Sequence, residues 1–427
     1  MRRSKKSRAA ASTVDMISSL PDAILCRILS FVTTKEAVAT SILSKRWINL
    51  WHHVPNLNFP YINVDTVESN RLFNESVYSV LISREAAGSI VIDCFTLDIG
   101  YENPHLAYDL GFPNIIKWIN LVVQRKLKHL CLRIDVRDYY DIDYTKLPVS
   151  IFTCTTLVSL DLCWFDVKGF NFTGFQFPSL KTLHLHSVFF SKVRDFMLFI
   201  AGCPILEDLE ISEMYVPPLK EDSLTLQEFK RISFPKLTRA EFVEFRCHCF
   251  PVNALSTAKY LCIDTFKVLN IVKYLYTEDP RVYKVNQLQR PYDVVPIFHN
   301  LTHLELVNRW DLVVQVLHQC PRLQNLRLDE GLCDSMRYEE GHQENWVEPE
   351  FVPQCLLSSL ITCTIKTYSL TFIIPRRDLL LEKYILKNAR ILQTMTILCK
   401  TKQPEMMRTL SMCPMASANV MLIHYTE

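Results

Sequence analysis

Residues 20–51 read LPDAILCRILSFVTTKEAVATSILSKRWINLW, and this stretch decides how the amino-terminal part of the chain folds. Its first half carries apolar residues at helical spacing, which predicts one amphipathic helix. These residues are Leu20, Ile24 and Ile28 at i, i+4 and i+8, with Leu25, Leu29 and Val32 widening the same side. Pro21 stands in the first turn, where a missing N–H costs nothing, and Asp22 complements the positive end of the helix dipole.

Two further short helices are predicted in the same stretch. Thr33 followed by Glu36 forms a capping box, so a second helix starts there. Trp47, Leu50 and Trp51 share one side of a third helix at i, i+3 and i+4. Three short helices in roughly 40 residues cannot bury so much apolar surface against one another. The excess surface predicts a partner.

This stretch resembles an F-box. Leu20 and Pro21 match the Leu-Pro pair of that family, Ile24 and Ile28 match its inner apolar row, and residues 44–51 match its SKRW…LW motif. The resemblance implies a three-helix module over residues 14–61 that docks on the adaptor of a Skp–cullin–F-box ubiquitin ligase. The implied adaptor-binding residues are Leu20, Pro21, Ile24, Leu25, Ile28, Leu29, Val32 and Trp47. The alternative is a self-contained three-helix cap, on which a solvated apolar ridge would favour aggregation.

Composition excludes several other classes of protein. The 427 residues leave room for two or three domains, and a hydrophobic content of 49% is too high for a disordered chain. The net charge of +2 points to neither nucleic acid nor membrane. The chain has 8 glycines, whereas average usage would give about 30. Folds built on glycine-rich phosphate loops are therefore poorly supported.

Cysteine usage predicts a reducing compartment. The sequence has 15 cysteines, an odd number, and lacks both an apolar signal core and an 18-residue apolar run. We expect a soluble protein of the cytoplasm, the nucleus or both, with free thiols that act as small hydrophobes. The nearest pattern to a metal motif is Cys247-His248-Cys249, but no second closely spaced pair accompanies it. Alternation along a strand explains it equally well, so we predict no metal and no cofactor.

Residues 1–13 open with MRRSKKSR and are predicted to be a flexible basic tail. Such a run is either a nuclear-import signal or a solvated disordered end.

Alternating helices and strands are predicted after the first module. The predicted helices cover residues 66–87, 115–124, 193–200, 312–317 and 378–389, and strands are predicted at residues 90–97, 355–365 and 392–398.

An LxxLxL pattern recurs from about residue 125 to residue 335, and it is the strand core of a leucine-rich repeat. Alternate leucines of each strand point into a shared core, and neighbouring coils cover one another. The copies begin at Leu127, Leu157, Leu180, Leu206, Leu237, Ala258, Leu301 and Leu323. Their spacing is irregular, and residues 265–297 show no clean copy, so a distorted solenoid is expected.

The carboxy-terminal part resembles the FBD module of plant F-box proteins, notably at residues 352–360 (VPQCLLSSL) and 384–390 (YILKNAR). The predicted organisation is α/β: a three-helix F-box, residues 62–124 as the amino-terminal part of the repeat domain, and an irregular leucine-rich-repeat solenoid over residues 125–335. An acidic loop (336–352) then leads to an α+β FBD module (353–427) that caps the open end of the solenoid.

The resemblance implies a non-catalytic receptor that binds the adaptor, and through it cullin and RING subunits, while its repeats hold a target protein. Residues that alternate with the buried leucines would form the target-binding face. The candidates are Arg133, Asp161, His184, His186, Asp208, Glu210, Arg239, Glu241, His303, Glu305 and Arg327. The acidic cluster around Asp208, Glu210 and Glu241 would suit a basic segment of the target.

Two alternatives stay open from the sequence. One is an interaction scaffold, or a receptor for a small molecule, outside ubiquitin transfer. The other is an enzyme, for which Asp141-Ile142-Asp143 and the pair His184 and His186 are the candidates, although the sequence specifies neither a nucleophile nor a third ligand.

Overall fold

The computed structural model divides the chain into two compact units, Met1–Leu130 with Val136–Asp138, and Cys131–Asp135 with Tyr139–Glu427. The described residues are 16–17, 19–89, 91–136, 145–214, 216, 232–245, 247, 250–264, 296–307, 313–329, 349–367, 379–399 and 404–426.

Two α-helices open the first unit, α1 (Asp22–Leu29) and α2 (Thr34–Ala39). The predicted capping box is confirmed, because the Thr33 backbone N–H donates to Glu36 Oε2 at 2.8 Å and the Glu36 backbone N–H donates to Thr33 Oγ1 at 3.3 Å. The predicted third α-helix is not found. Turns and two short 3-10 segments, Thr40–Ile42 and Leu50–His53, take its place. They still bury the three residues predicted to share one side, Trp47, Leu50 and Trp51.

The rest of the first unit alternates strand and helix. Its elements are β1 (Asn56–Val64), α3 (Val67–Ala86), β2 (Cys94–Tyr101), α4 (Pro104–Leu106), a π-helical turn (Ala107–Gly111) and α5 (Phe112–Val123). β1 and β2 pair in parallel, with Asn56 opposite Cys94 and Val64 opposite Tyr101. The helix predicted at residues 66–87 is confirmed. The strand predicted at 90–97 lies four residues further on, because the carbonyl of Pro55 fixes its start by accepting from Asp93 and Cys94.

All eight LxxLxL copies form strands in one sheet, as predicted. In spatial order this sheet runs β3, β5, β7, β9, β10, β11, β12, β13, β14, β15 and β16, and the pairs from β5 onward are parallel. The strands from the LxxLxL copies are β3 (His129–Val136), β5 (Ser159–Cys163), β7 (Thr182–His186), β9 (Asp208–Ser212), β10 (Arg239–Val243), β11 (Tyr260–Asp264), β12 (His303–Val307) and β13 (Asn325–Asp329).

Burial alternates along these strands because successive side chains point to opposite faces of a sheet. Leu160, Leu183 and Leu209 are fully buried and lie directly opposite one another in neighbouring strands. A second, three-stranded sheet is formed by β4 (Thr145–Lys146), β6 (Phe165–Val167) and β8 (Phe189–Phe190), and α6 (Val193–Ala201) and α7 (Val313–His318) confirm the predicted helices.

Four strands end in the same unusual corner. Trp164, Ser187, Glu213 and Glu244 each follow a strand directly and have φ between 48° and 68°. Side chains other than glycine visit this left-handed region rarely. The backbone N–H groups of Trp164, Ser187 and Glu213 each donate to the carbonyl of the last residue of the next strand, at 3.0–3.1 Å. Hydrogen bonds between neighbouring strands therefore stabilise this left-handed backbone conformation at residues other than glycine.

The carboxy-terminal segment differs from the predicted α+β cap. Its elements are α8 (Gln354–Ser358), β14 (Thr362–Thr367), α9 (Leu380–Asn388), β15 (Thr394–Cys399), α10 (Pro404–Ser411) and β16 (Met421–Thr426). The three strands continue the repeat sheet in parallel, because Cys363 and Ile365 extend the buried columns of Leu326 and Leu328. The segment predicted as extended at residues 355–365 begins instead as the short helix α8.

Some sequence predictions fall on residues outside those described. They include the basic tail, Asp141-Ile142-Asp143, most of the acidic loop, and His248 and Cys249. Among the described residues, no group of three or more His, Cys, Asp or Glu is placed to hold a metal ion. In the same part of the chain, no helix is long and apolar enough to cross a membrane.

Truncation of a repeat leucine tests this core. Leu183→Ala or Leu209→Ala should lower the free energy of unfolding by about 2–5 kcal/mol, because each leaves a cavity at a fully buried position. Urea titration of the full chain measures the change. Val149→Ala, at a side chain that is 48% exposed, is the control. A denaturation midpoint unmoved by either leucine variant would contradict the repeat core.

Candidate functional site

Large apolar side chains are exposed along the first module. Ile24 and Ile28 are each 45% exposed on α1, and Phe31 is 78% exposed just after the helix ends. We call the exposed apolar set the residues Ile24, Ile28, Phe31, Val32, Ile42, Leu43 and Ile48. Exposed apolar clusters of this kind mark interaction surfaces on soluble proteins.

The structure separates the predicted adaptor-binding residues into two groups. Ile24, Ile28, Val32 and Pro21 are exposed, and Leu20 is partly exposed. Leu25, Leu29 and Trp47, in contrast, are buried within the chain itself, at 0%, 4% and 7% exposure. These three side chains hold the module together and are not available for direct contact, because α1 turns one apolar side inward and the other outward.

Phe31, Ile42, Leu43 and Ile48 were not among the predicted adaptor-binding residues. Phe31 lies three residues after Ile28, so the helical spacing that singled out Ile24 and Ile28 also includes it. Ile42 and Leu43 lie in and beside a 3-10 segment, where α-helical periodicity gives no signal.

The SKRW motif has a structural explanation in the first unit. Arg46 donates to Asp22 Oδ1 from Nε at 2.8 Å and from Nη2 at 2.6 Å, and it also donates to the Leu20 carbonyl. Trp47 turns into the core beside it. Arg46 thereby fixes the start of α1, which carries the exposed residues Ile24 and Ile28.

Arg84 is a buried cation that our sequence reasoning missed. Its guanidinium is 1% exposed and donates to the carbonyls of Val54 at 2.6 Å, Trp51 at 3.3 Å and Val91 at 3.0 Å. Burial, with a smaller effect from Arg125, lowers the pKa of Arg84 to about 10, so it stays charged at neutral pH. Arg84 ties the end of the first module to α3. Arg84 lies seven residues after the buried Val77 and so shares the buried face of α3. This helical spacing could have identified Arg84 from the sequence.

In the second unit, the outward side chains form three rows across ten parallel strands. Each row follows the register of strand pairing, and the three rows together are called the sheet face. The first row is Ser159, Thr182, Asp208, Arg239, Tyr260, His303, Asn325, Thr362, Thr394 and Met421. The second is Asp161, His184, Glu210, Glu241, Cys262, Glu305, Arg327, Thr364, Thr396 and Ile423. Cys262 lies on this side of the sheet but is buried, at 2% exposure. The third is Cys163, His186, Ser212 and Val243 on β5 to β10, and Val307, Asp329, Lys366, Leu398 and Tyr425 on β12 to β16.

The structure brings ten of the eleven predicted target-binding residues into these rows. Arg133, on β3, joins them through an ion pair with Asp161 at 2.7 Å. All eleven are exposed or half-buried.

Arg239 is the centre of the charge on the sheet face. Its Nη1 lies 3.1 Å from Asp208 Oδ1 and 3.5 Å from Glu210 Oε2, and its Nη2 contacts Glu241. Its guanidinium also lies over the ring of Tyr260, 5.1 Å from the centroid. On the far side of Tyr260, Glu305 pairs with Arg327 at 3.1 Å. Carboxylates therefore outnumber guanidinium groups in this region.

The excess of carboxylates is reflected in the pKa values. Burial, opposed in part by Arg239, raises the pKa of Glu241, and the neighbouring carboxylates Glu210 and Glu305 add to the rise. Burial also opposes ionisation of Asp208, but contacts with His184 and Arg239 outweigh it and lower the Asp208 pKa. A cation bound here would relieve the repulsion between Glu241 and its neighbours.

The structure gives little support to an enzyme at the two histidines. His186 Nδ1 lies 2.7 Å from Ser212 Oγ, and its Nε2 lies 3.3 Å from Glu213 Oε2. This grouping has the residue types of a hydrolytic triad, but His186 is 40% exposed on an open strand face. Water is not excluded there, whereas efficient electrostatic stabilisation of a transition state needs a water-excluded site. Cys163, the neighbouring thiol, has its pKa raised to about 12 by burial and is inert.

The pair of His184 and Asp208 should make stability depend on pH. The carboxylate of Asp208, 3.7 Å away, raises the pKa of His184 in the folded state. Its stabilisation is therefore fully present below the unfolded pKa, about 6.5, and is lost as pH rises through the raised folded pKa. The wild-type chain should have a larger free energy of unfolding than the His184→Gln variant. This difference should be about 0.5–1 kcal/mol greater at pH 5.5 than at pH 8.5.

Urea titration at both pH values measures this difference. In an Asp208→Asn background, the effect of His184→Gln should change less with pH, because Asp208 is the largest cause of the raised His184 pKa and Glu210 and Asp161 are smaller ones. An undiminished pH dependence in that background would contradict the pairing.

Comparison with known proteins finds three family models along the chain. The F-box domain matches residues 17–59, the LRR repeats of the FBD-associated F-box protein At5g56370 match residues 115–233, and FBD matches residues 348–397. The exposed apolar set lies within the first match, and strands β5, β7 and β9 lie within the second.

Curated relatives match over nearly the whole chain. The F-box/FBD/LRR-repeat protein At4g00160 of Arabidopsis thaliana is 32% identical over 405 residues, covering 90% of this chain and 86% of the relative. The FBD-associated F-box protein At5g60610 of the same plant is 31% identical over 413 residues, covering 90% of this chain and 100% of the relative. The F-box/FBD/LRR-repeat protein At3g26920 is 29% identical over 426 residues, covering 93% of this chain and 92% of the relative.

Proposed function

The chain belongs to the plant F-box/FBD/LRR-repeat family, and from this premise we propose that it is the target-binding subunit of a Skp–cullin–F-box ubiquitin ligase. F-box domains generally bind Skp-type adaptors, and the F-box match covers every member of the exposed apolar set. That exposed set is the observation that carries the proposal.

The proposed adaptor contact uses the outward residues of the first module. Ile24, Ile28 and Phe31 follow one helical line, at i, i+4 and i+7, and all three are exposed. Burial of apolar area contributes about 25 cal/mol per Å², so covering these side chains supplies a strong driving force. The buried residues Leu25, Leu29 and Trp47 support this surface from beneath.

The sheet face of the second unit is the proposed target-binding surface. It presents alternating acids, bases and polar groups on a rigid parallel sheet. Ubiquitin transfer itself is carried out by other subunits in this proposal. The contribution of this chain is to hold a target lysine at high effective concentration near the ubiquitin-carrying enzyme.

Affinity purification of the full-length chain with the proteasome blocked tests the proposal. The wild-type chain should recover adaptor, cullin and RING subunits, and a Leu20→Ala/Pro21→Ala variant should lose all three, because these residues lie at the start of α1 beside the exposed set.

The control is Val67→Ala, at a side chain that is 64% exposed on α3, and it should behave like wild type. Failure of the wild-type chain to recover any ligase subunit would refute the ligase role and leave an interaction scaffold. Retention of the adaptor by the double variant would refute the assigned interface.

A further inference from the structure

The carboxy-terminal strands belong to the same sheet face as the repeats. β14 pairs with β13 in register, with Thr362 opposite Asn325 and Lys366 opposite Asp329, and β15 and β16 continue the same rows. Any ligand that lies across the repeat strands and extends in this direction therefore meets side chains of β14, β15 and β16.

The chemical character of the face changes along this direction. On β9 to β12 it is acidic, with Asp208, Glu210, Glu241 and Glu305 facing outward. On β14 and β15 it carries four hydroxyl groups, from Thr362, Thr364, Thr394 and Thr396. On β16 it becomes apolar, with Met421 63% exposed, Tyr425 57% exposed and Ile423 half-buried between them.

The apolar end lies on the last strand of the sheet. Edge strands of soluble proteins are usually protected by charged residues, proline or bulges. The sequence of β16, MLIHYT, has no Asp, Glu, Lys, Arg or Pro, and its pairing with β15 is regular over six residues. Large exposed apolar side chains on such a strand are a liability unless a partner covers them.

Charge complementarity identifies what the acidic part of the face would bind. Among the described outward side chains of β9 to β12, four carboxylates face one guanidinium, that of Arg239, so the charge of these groups is negative. Arg327 on β13 pairs with one of the four, Glu305. Glu210 and Glu241 both contact Arg239 and therefore share one positive charge. Lysine or arginine side chains of a ligand complement this region.

The distance between the two regions sets the length of the ligand. β10, which carries Glu241, is separated from β16 by six strand spacings. At about 4.8 Å per spacing the separation is about 29 Å, and an extended chain covers it in about nine residues at 3.3 Å each.

We propose that the sheet face binds an extended segment of the target in which lysine or arginine residues lie about nine positions from aliphatic or aromatic residues. The basic residues contact Glu210 and Glu241, and the apolar residues pack on Ile423, Tyr425 and Met421. The carboxy-terminal strands thus supply the apolar anchor of the target site. This inference rests on the proposed role of the sheet face as the target-binding surface.

Fluorescence anisotropy with the full-length chain and synthetic peptides tests this inference. The first peptide joins KRKR to LIY through an eight-residue Gly/Ser spacer. Matched peptides shorten the spacer to two residues, replace KRKR with EEEE, or replace LIY with SSS. The first peptide should bind about tenfold more tightly than each matched peptide, because only it reaches both regions with the right charge. Its affinity should fall as salt is raised from about 0.05 to 0.5 M.

Two pairs of substitutions locate the binding on the chain. Glu210→Gln/Glu241→Gln removes the charge without changing shape, and Ile423→Ser/Tyr425→Ser removes the apolar anchor. Each pair of substitutions should weaken binding of the first peptide by about tenfold. The Ile423→Ser/Tyr425→Ser pair should leave binding of the SSS peptide unchanged. The controls are Glu75→Gln and Val67→Ser on α3, where the side chains are exposed in the other unit. Thermal melting verifies that each variant folds.

Two results would overturn the inference. One is a first peptide that binds no better than its EEEE counterpart, and the other is unchanged affinity in the folded Ile423→Ser/Tyr425→Ser variant. Adaptor capture by the same protein samples is measured in parallel. Loss of peptide binding with adaptor capture intact refutes the proposed target segment alone, whereas absence of adaptor capture from the wild-type chain refutes the ligase role.

Discussion

Replacement of Arg84 with alanine should destabilise the first unit by about 3–5 kcal/mol. The guanidinium donates to the backbone carbonyls of Trp51, Val54 and Val91 and to the hydroxyl of Ser89. Backbone carbonyls cannot be removed by mutation, so Arg84→Ala leaves them buried without a donor and opens a cavity as well. Each orphaned group costs about 1–3 kcal/mol. Thermal and urea unfolding of the full chain, followed by tryptophan fluorescence, measure the loss.

Arg71→Ala is the matched control for Arg84→Ala, because it removes the same side chain from the same helix. Arg71 is 51% exposed and pairs with Glu68 and Glu75 on the surface. Surface ion pairs contribute about 0–1 kcal/mol, so this variant should unfold nearly as the wild type does. Equal effects of the two substitutions would show that Arg84 has no special role in joining the first module to α3.

The second large effect should be on adaptor affinity. Ile28→Asp combined with Phe31→Asp should weaken binding of the Skp-type adaptor at least about a hundredfold, because two charges would be buried in an apolar contact. Both side chains are exposed in the chain alone, so folding should be unaffected. Surface plasmon resonance with immobilised adaptor measures the affinity, and melting curves confirm the fold.

The control for this pair is Ile82→Asp, at a side chain that is 62% exposed on α3 and outside the exposed apolar set. It should bind the adaptor as the wild type does. If Ile28→Asp/Phe31→Asp also bound with unchanged affinity, the exposed apolar set would not be the adaptor contact.

Most of the repeat fold was predictable because each strand carries its own local signal. LxxLxL places Leu183 and Leu185 on one face of a strand, and both are buried as predicted. The carboxy-terminal strands were harder to recognise. β14 reads TCTIKT, and its buried positions are filled by Cys363 and Ile365, so the leucine pattern is absent although the geometry is the same.

The division of α1 into an inward and an outward side was not predictable from spacing alone. Leu25 and Ile24 are adjacent in sequence and similar in chemistry, yet one is fully buried and the other is 45% exposed. Which side faces the core depends on where Trp47 and Leu50 pack, and those contacts are set by turns that periodicity does not detect. The left-handed corners at Ser187 and Glu213 were likewise hidden, because hydrogen bonds between neighbouring strands fix them without glycine.

The sheet face shows the same limit. Alternation with the buried leucines identified its outward residues correctly, but the sequence could not say which of them meet. Arg239, Asp208 and Glu210 come together only because β9 and β10 pair in a particular register. The register depends on the whole core, and it determines that carboxylates outnumber guanidinium groups in this region.

The central claim is that the exposed apolar set of the first module is completed by a separate polypeptide. The most direct measurement is the molar mass, by light scattering during size-exclusion chromatography, of the purified 49.8 kDa chain mixed with a Skp-type adaptor. We expect one co-eluting species whose mass equals one chain plus one adaptor. Separate elution of a folded, monomeric chain and free adaptor would contradict it.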